Sequence, residues 1–175
     1  MRVAVTGTPG TGKTSAVEAL ETESASAEFD LDVVHLNELI REEGLWDERD
    51  EDRDSLVADL DAVAERLADR EDLLVESHLA HHLDVDKVVV LRCHPEELER
   101  RLTERGESDA KAEENAESEA LDVILSEAVS EHGVENVYEL ETTERDPDAV
   151  ADEIRSVLAG ERDPSAGEVD YLDYL

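Results

Sequence analysis

The sequence predicts an α/β fold, a five-stranded parallel sheet flanked by helices. Three observations predict it. Five short runs rich in Val and Leu recur along the chain (MRVAVT, VVH, LLVE, KVVVLR and VYEL). Segments with apolar residues at helical spacing alternate with them. The first run leads into a glycine loop, GTPGTGKT, and then into TSAVEAL, which reads as a helix.

Met1–Thr6 is the first strand, and the helix after the loop carries Ala16, Val17 and Leu20. Val33–His35 is the second strand, followed by a helix LNELIREE that ends near Gly44. Leu45–Asp54 reads as a charged connection. Ser55 reads as the N-cap of a helix whose apolar face is Leu56, Leu60, Val63 and Leu67. Leu73–Glu76 is the third strand. Lys87–Arg92 is the fourth, with the continuous apolar run of a buried parallel strand. Pro95 fits the first turn of a helix running to about Arg105. ERGESDAKAEEN is polar and breaks the pattern, and a long helix is expected after it with Ala120, Val123, Ile124 and Ala128 inward. Val137–Leu140 is the fifth strand. Asp146 caps and Pro147 opens a final helix with Val150, Ile154, Val157 and Leu158 inward. Residues 1–160 thus make one domain, and 161–175 an acidic tail whose VDYLDYL end is expected to dock on the body or on a partner.

Composition narrows the function. Hydrophobic residues make up 39% of the 175 and aromatics only 3%, so the core must be built from Val, Leu, Ile and Ala. The net charge is −34, from 50 acidic and 16 basic side chains. The apolar periodicity argues against disorder, and the charge reads as a salt-adapted, halophilic surface whose carboxylates stay hydrated in concentrated salt. Such a surface repels a phosphate backbone, so strong direct nucleic-acid binding is not expected. A basic protein partner remains compatible. Cys93 stands alone, which rules out an internal disulfide, and reads as a small buried hydrophobe. No signal segment or long apolar run is present, which predicts a soluble, cytoplasmic protein with no membrane contact.

GTPGTGKT, Gly7 to Thr14, fits the phosphate-loop pattern in full. Its glycines, Gly10 and Gly12 among them, let backbone N–H groups turn toward phosphates, and the helix N-terminus adds positive potential. Lys13 is expected to reach the β- and γ-phosphates of ATP, Thr14 to place its hydroxyl on Mg²⁺, and Ser15 to touch the α-phosphate. Arg92 closes a buried strand and reads either as a ligand-facing residue or as a structural ion-pair partner. Near His78, His81 and His82 there is no cysteine or second ligand cluster at a zinc-like spacing, so a loop of exposed histidines is expected there rather than a metal site.

The loop, LNELIREEGLWDERDED, LLVESH, VVVLRCHPEELERRLTERG and KAEENAESEAL together resemble the adenylate kinase isoenzyme 6 family, from residue 1 to about 132. The resemblance implies a fold of the P-loop nucleoside monophosphate kinase type and an ATP + AMP = 2 ADP kinase of broad acceptor range that uses ATP and Mg²⁺. It also implies ATP hydrolysis, late maturation of the small ribosomal subunit with processing of its rRNA, and transient binding of a small-subunit platform protein. On this likeness residues 33–54 form the monophosphate-binding region, with Arg41 on the acceptor phosphate. A lid spans about 105–116, with Arg105 over the triphosphate. Glu76 stands where the family usually has Asp near the metal, one methylene longer, and His78 matches the position tied to hydrolysis. Two rivals stay open: an assembly ATPase whose kinase activity is vestigial, and a small-metabolite kinase. The length of Leu36–Asp54 suits a nucleotide acceptor better than a compact one.

Overall fold

The computed structural model describes residues 1–22, 29–52 and 55–175. In chain order the elements are β1 (Arg2–Thr6), α1 (Lys13–Thr22), β2 (Asp32–His35), α2 (Leu36–Glu43), β3 (Trp46–Asp50), β4 (Ser55–Ala58) and α3 (Leu60–Arg66). Then come β5 (Leu73–Glu76), β6 (Lys87–Arg92), α4 (Pro95–Glu104), α5 (Asp109–Ala120), α6 (Val123–His132), β7 (Val137–Glu141) and α7 (Pro147–Leu158). The main sheet is parallel, in the order β2-β5-β1-β6-β7. β1 sits at its centre, so both of its faces and both of its edges are covered.

Alternation along β1 divides the core. Val3 and Val5 face a cluster with Val17, Leu20, Ile154 and Val157 from α1 and α7. Ala4 faces the other side, where Ile40, Val63, Leu67 and Ala128 pack. The register then sets up chemistry at one end of the sheet. Glu76 pairs with Val5 on one side and His35 on the other, while Thr6 pairs with Val90. Strand ends β1, β2 and β5 therefore converge just before the glycine loop, where ligands bind in open α/β sheets.

Four local readings need correction. Leu45–Asp54 is not a plain connection, because Trp46–Asp50 pairs antiparallel with Ser55–Ala58. Residues 53 and 54 lie outside the described residues. Its strands are largely exposed, so the hairpin carries almost no hydrophobic signal. Ser55 and Leu56 accordingly lie in β4, and the helix cap is Asp59, whose carboxylate accepts from the Ala62 N–H at 3.0 Å.

The polar stretch after Arg105 is a helix rather than a break. Ser108 caps α5, accepting from the Lys111 N–H at 3.3 Å. Ala112, Ala116 and Ala120 repeat every four residues and are fully buried. Ala112 packs with Leu98 and Leu102 of α4 and with Cys93. A stripe of alanines is nearly invisible in a hydropathy pattern, which explains the misreading. The expected continuous helix also splits. Asp122 sits in the left-handed region (φ 54°) and re-aims the chain, leaving Val123 exposed and turning Leu125 and Ala128 inward.

The tail packs on the body. Glu139 accepts from the backbone N–H groups of Glu168 (2.8 Å) and Val169 (3.3 Å), and the Tyr174 hydroxyl donates to Glu99 at 3.0 Å. Among the described residues no helix is long and apolar enough to cross a membrane.

Candidate active site

The glycine loop leaves β1 under tight constraint. A Cβ on Gly7 would meet the Leu91 carbonyl oxygen at 2.6 Å, so the loop can turn away from the sheet only with glycine there. Gly12 also needs glycine's freedom (φ +89°), and a Cβ on it would point into open space. Thr11 ties the turn together, donating its N–H and its hydroxyl to the Thr8 carbonyl. Lys13 opens α1 and is 7% exposed, its ammonium donating to that same carbonyl at 3.0 Å. Burial lowers its pKa to about 8, against the upward pull of the Glu76 and Glu119 carboxylates. Among the described residues the ammonium has no carboxylate partner, which leaves its charge available to an anion.

Next to it, the Thr14 hydroxyl donates to Glu76 Oε1 at 3.2 Å. His35 Nδ1 donates to Glu76 Oε2 at 2.9 Å and Nε2 meets Glu21 at 3.2 Å. Burial pushes the His35 pKa down, but hydrogen bonds to Glu76 and Glu21 outweigh it and the net shift is upward. Glu76 is thus clamped from two sides, by the Thr14 hydroxyl of the phosphate loop and by His35. Hard oxygen donors side by side suit Mg²⁺, which binds through one or two protein groups and several waters.

Two clefts flank this centre. One, of about 470 Å³, runs along Gly10 to Ser15 and is walled by Arg101, Arg105, Arg145 and Pro147. The other, of about 950 Å³, is lined by Asn37, Arg41, Arg49, Ser55, Leu56, His78, Lys111 and Asn115. Arg105, at the C-terminus of α4, borders both.

Ion pairing separates the basic residues. Arg66 pairs with Glu43, Arg70 with Asp32, Arg100 with Glu97 and Glu104, and Arg145 with Glu153. Arg101 is bonded to Glu97 and to the carbonyls of Gly10, Thr142 and Thr143, which makes it a strut of the loop. Among the described residues, Arg41 and Arg105 alone of the arginines form neither a hydrogen bond nor an ion pair through their side chains. In a chain with 50 acidic residues, these two exposed, unpaired guanidiniums face clefts with their donors available to an anion.

Sequence reasoning missed the support beneath the loop. Glu119 of α5 is buried and accepts from the Thr8 hydroxyl (2.6 Å), Arg92 Nε (2.9 Å) and the Cys93 N–H (3.0 Å). Arg92 pairs in addition with Asp122 and Glu139, so of its two readings the structural one holds. Thr142 donates to the Thr11 carbonyl at 2.8 Å from the end of β7. The E-N-x-x-x-E spacing, Glu114 to Glu119, was the available signal for Glu119, and His35 had none beyond its place at a strand end.

His78 borders the second cleft. Burial lowers its pKa to about 4, with the Lys13, His81 and His82 charges adding to the effect, so the imidazole is neutral at pH 7. The expectation of exposed histidines fails: His81 is 1% exposed and bonded to Thr6 and Glu127, and His78 and His82 are half-buried.

Residues 3–122 match the family model described as AAA domain. The chain is 65% identical over 175 residues to a protein of Natronomonas pharaonis and 61% identical over 176 residues to one of Halobacterium salinarum. Each alignment covers all of both chains, and both proteins are named "Putative adenylate kinase". Among solved structures, shikimate kinase from Bacteroides thetaiotaomicron superposes with a TM-score of 0.61 at 19% identity, over 91% of this chain and 98% of that one. That likeness concerns the fold.

Proposed function

The chain belongs to the archaeal-type adenylate kinase family, and from that premise we propose that it transfers the γ-phosphoryl group of Mg·ATP to AMP or a related nucleoside monophosphate. The observation that carries this reading is the pair of unpaired arginines. Arg105 borders both clefts and Arg41 faces only the larger one, so two anionic ligands can share a boundary at Arg105.

In this reading ATP lies along Gly10, Gly12 and Ser15, with Lys13 on the β- and γ-phosphates. Thr14 and Glu76 would hold Mg²⁺, directly or through water, and the ion would supply charge neutralisation at the phosphate oxygens. Arg41 orients the acceptor phosphate, and Arg105 neutralises charge on the group in flight. Phosphoryl transfer is mainly positioning and electrostatics, so these cations account for most of the catalysis. Residues 33–54 act as the acceptor region, and 105–116, which run from the end of α4 into the first half of α5, as the lid. A nucleoside monophosphate is favoured over a compact metabolite as acceptor because the larger cleft, about 950 Å³, accommodates a nucleotide.

A second activity, ATP hydrolysis, is supported by His78. It is neutral and, among the described residues, makes no side-chain hydrogen bond, so its ring can orient a water. Coupling of that hydrolysis to a basic platform protein of the small ribosomal subunit follows from the family resemblance, and the −34 charge is compatible with it.

The test is ADP formation from ATP with and without AMP, in molar KCl. The proposal expects strong stimulation by AMP, with two ADP formed per AMP consumed. ADP formation independent of AMP would overturn it in favour of an ATPase. Retention of the platform protein with ATP but not ADP would support the assembly role, and no retention in either state would remove it.

A further inference from the structure

Three side chains that phosphoryl transfer does not use meet beside β1. His81 and His82 come from the 3₁₀ turn Ala80–His82, and Glu127 from the middle of α6. One donor atom of each lies within 4.8 Å of the other two. His81 Nε2 is 2.9 Å from Glu127 Oε2, and His82 Nε2 is 3.9 Å from the same oxygen. Donors on a tetrahedral zinc ion, with bonds of about 2.0–2.1 Å, sit about 3.4 Å apart. The observed spacings straddle that value, so small side-chain shifts close the site.

Each imidazole is also held through its other nitrogen. His82 Nδ1 donates to Glu131 at 2.7 Å, which fixes the tautomer and leaves Nε2 as a lone pair facing Glu127. His81 Nδ1 is 2.9 Å from the Thr6 hydroxyl. A hydroxyl can donate or accept, so Thr6 satisfies either tautomer and His81 Nε2 can exchange its proton for a cation. Metal-bound histidines are oriented by such outer partners. Burial also lowers the His81 pKa, which favours the neutral ring that a metal needs.

We infer that His81, His82 and Glu127 form a binding site for a divalent transition cation of borderline softness, zinc being the type. The fourth position is open to water. Two nitrogens and one oxygen select against Mg²⁺, which prefers an all-oxygen octahedron. The site is separate from the Thr14 and Glu76 position, and it ties α6 to Thr6, the last residue before the glycine loop.

The test uses the full chain, stripped with chelator and held in molar KCl with millimolar Mg²⁺ to suppress loose binding to surface carboxylates. Co²⁺ is added and read by visible absorption, and Zn²⁺ is then titrated calorimetrically. The inference expects one equivalent of tetrahedral Co²⁺ that Zn²⁺ displaces. His82→Gln and Glu127→Gln should each weaken Zn²⁺ binding about 10–100-fold. Both side chains are partly exposed, so these variants should fold, and melting curves check that. His94→Gln should leave binding unchanged. An octahedral Co²⁺ spectrum, binding indifferent to His82→Gln, or binding lost in His35→Gln instead would each overturn the inference.

Discussion

Replacing Glu119 by alanine tests whether the phosphate loop is held from α5. The carboxylate is 3% exposed and accepts three hydrogen bonds, from the Thr8 hydroxyl, Arg92 Nε and the Cys93 N–H. Buried donors left without an acceptor cost about 1–3 kcal/mol each, and one-sided removal of a buried ion pair costs about 3–5 kcal/mol. Arg92 keeps Asp122 and Glu139, which moderates its share. A loss of about 4 kcal/mol is therefore expected. At about 2–4 °C per kcal/mol for a chain of this size, Tm should fall by about 8–16 °C. Glu119→Gln keeps the volume and one acceptor oxygen, and should lose about half as much. Calorimetric melting in molar KCl reads both, and in the same variants the KM for ATP should rise because Thr8 is released. A Glu119→Ala protein melting within about 2 °C of the parent would refute the reasoning.

Other outcomes follow from the same geometry. Arg41→Ala should raise the KM for AMP about 10–100-fold, the worth of charge-assisted hydrogen bonds, while leaving the KM for ATP within about twofold. Steady-state kinetics with each substrate varied in turn would check the split. His78→Ala should reduce AMP-independent phosphate release more than AMP-dependent transfer, and equal losses would count against its separate role. Burial pushes the Cys93 thiol up to about 11, so the thiolate is scarce at pH 8. Iodoacetamide should then leave the native protein unmodified and label it once unfolded, as intact mass would show. Finally, Tm should rise from dilute buffer to molar KCl, because salt screens the repulsion of a −34 surface.

Much of this protein could be read from its residues, for physical reasons. The inner strands are short apolar runs whose two-sided burial leaves a continuous Val and Leu signal, as in KVVVLR. Asp146 and Pro147 were found because cap chemistry is local. The glycine loop was found because its conformation demands glycine at fixed spacing. What failed depended on partners far along the chain. The Trp46–Ala58 hairpin is too exposed to alternate clearly, and the alanine face of α5 is apolar only in the context of Leu98 and Leu102. His35 and Glu119 gain their places from strand register and from a contact across more than a hundred residues. Arg41 and Arg105 were named from resemblance, but that they stand unpaired while most neighbouring arginines are paired emerges only in three dimensions.

The central claim is that one γ-phosphoryl group passes between two nucleotides bound on either side of Arg105. The most direct measurement follows the label from γ-³³P-ATP in a single turnover with AMP and Mg²⁺ in molar KCl, separating ADP from inorganic phosphate. The account predicts that the label appears chiefly in ADP, and that Lys13→Met abolishes its appearance there. Label released chiefly as inorganic phosphate, with AMP unchanged, would contradict it.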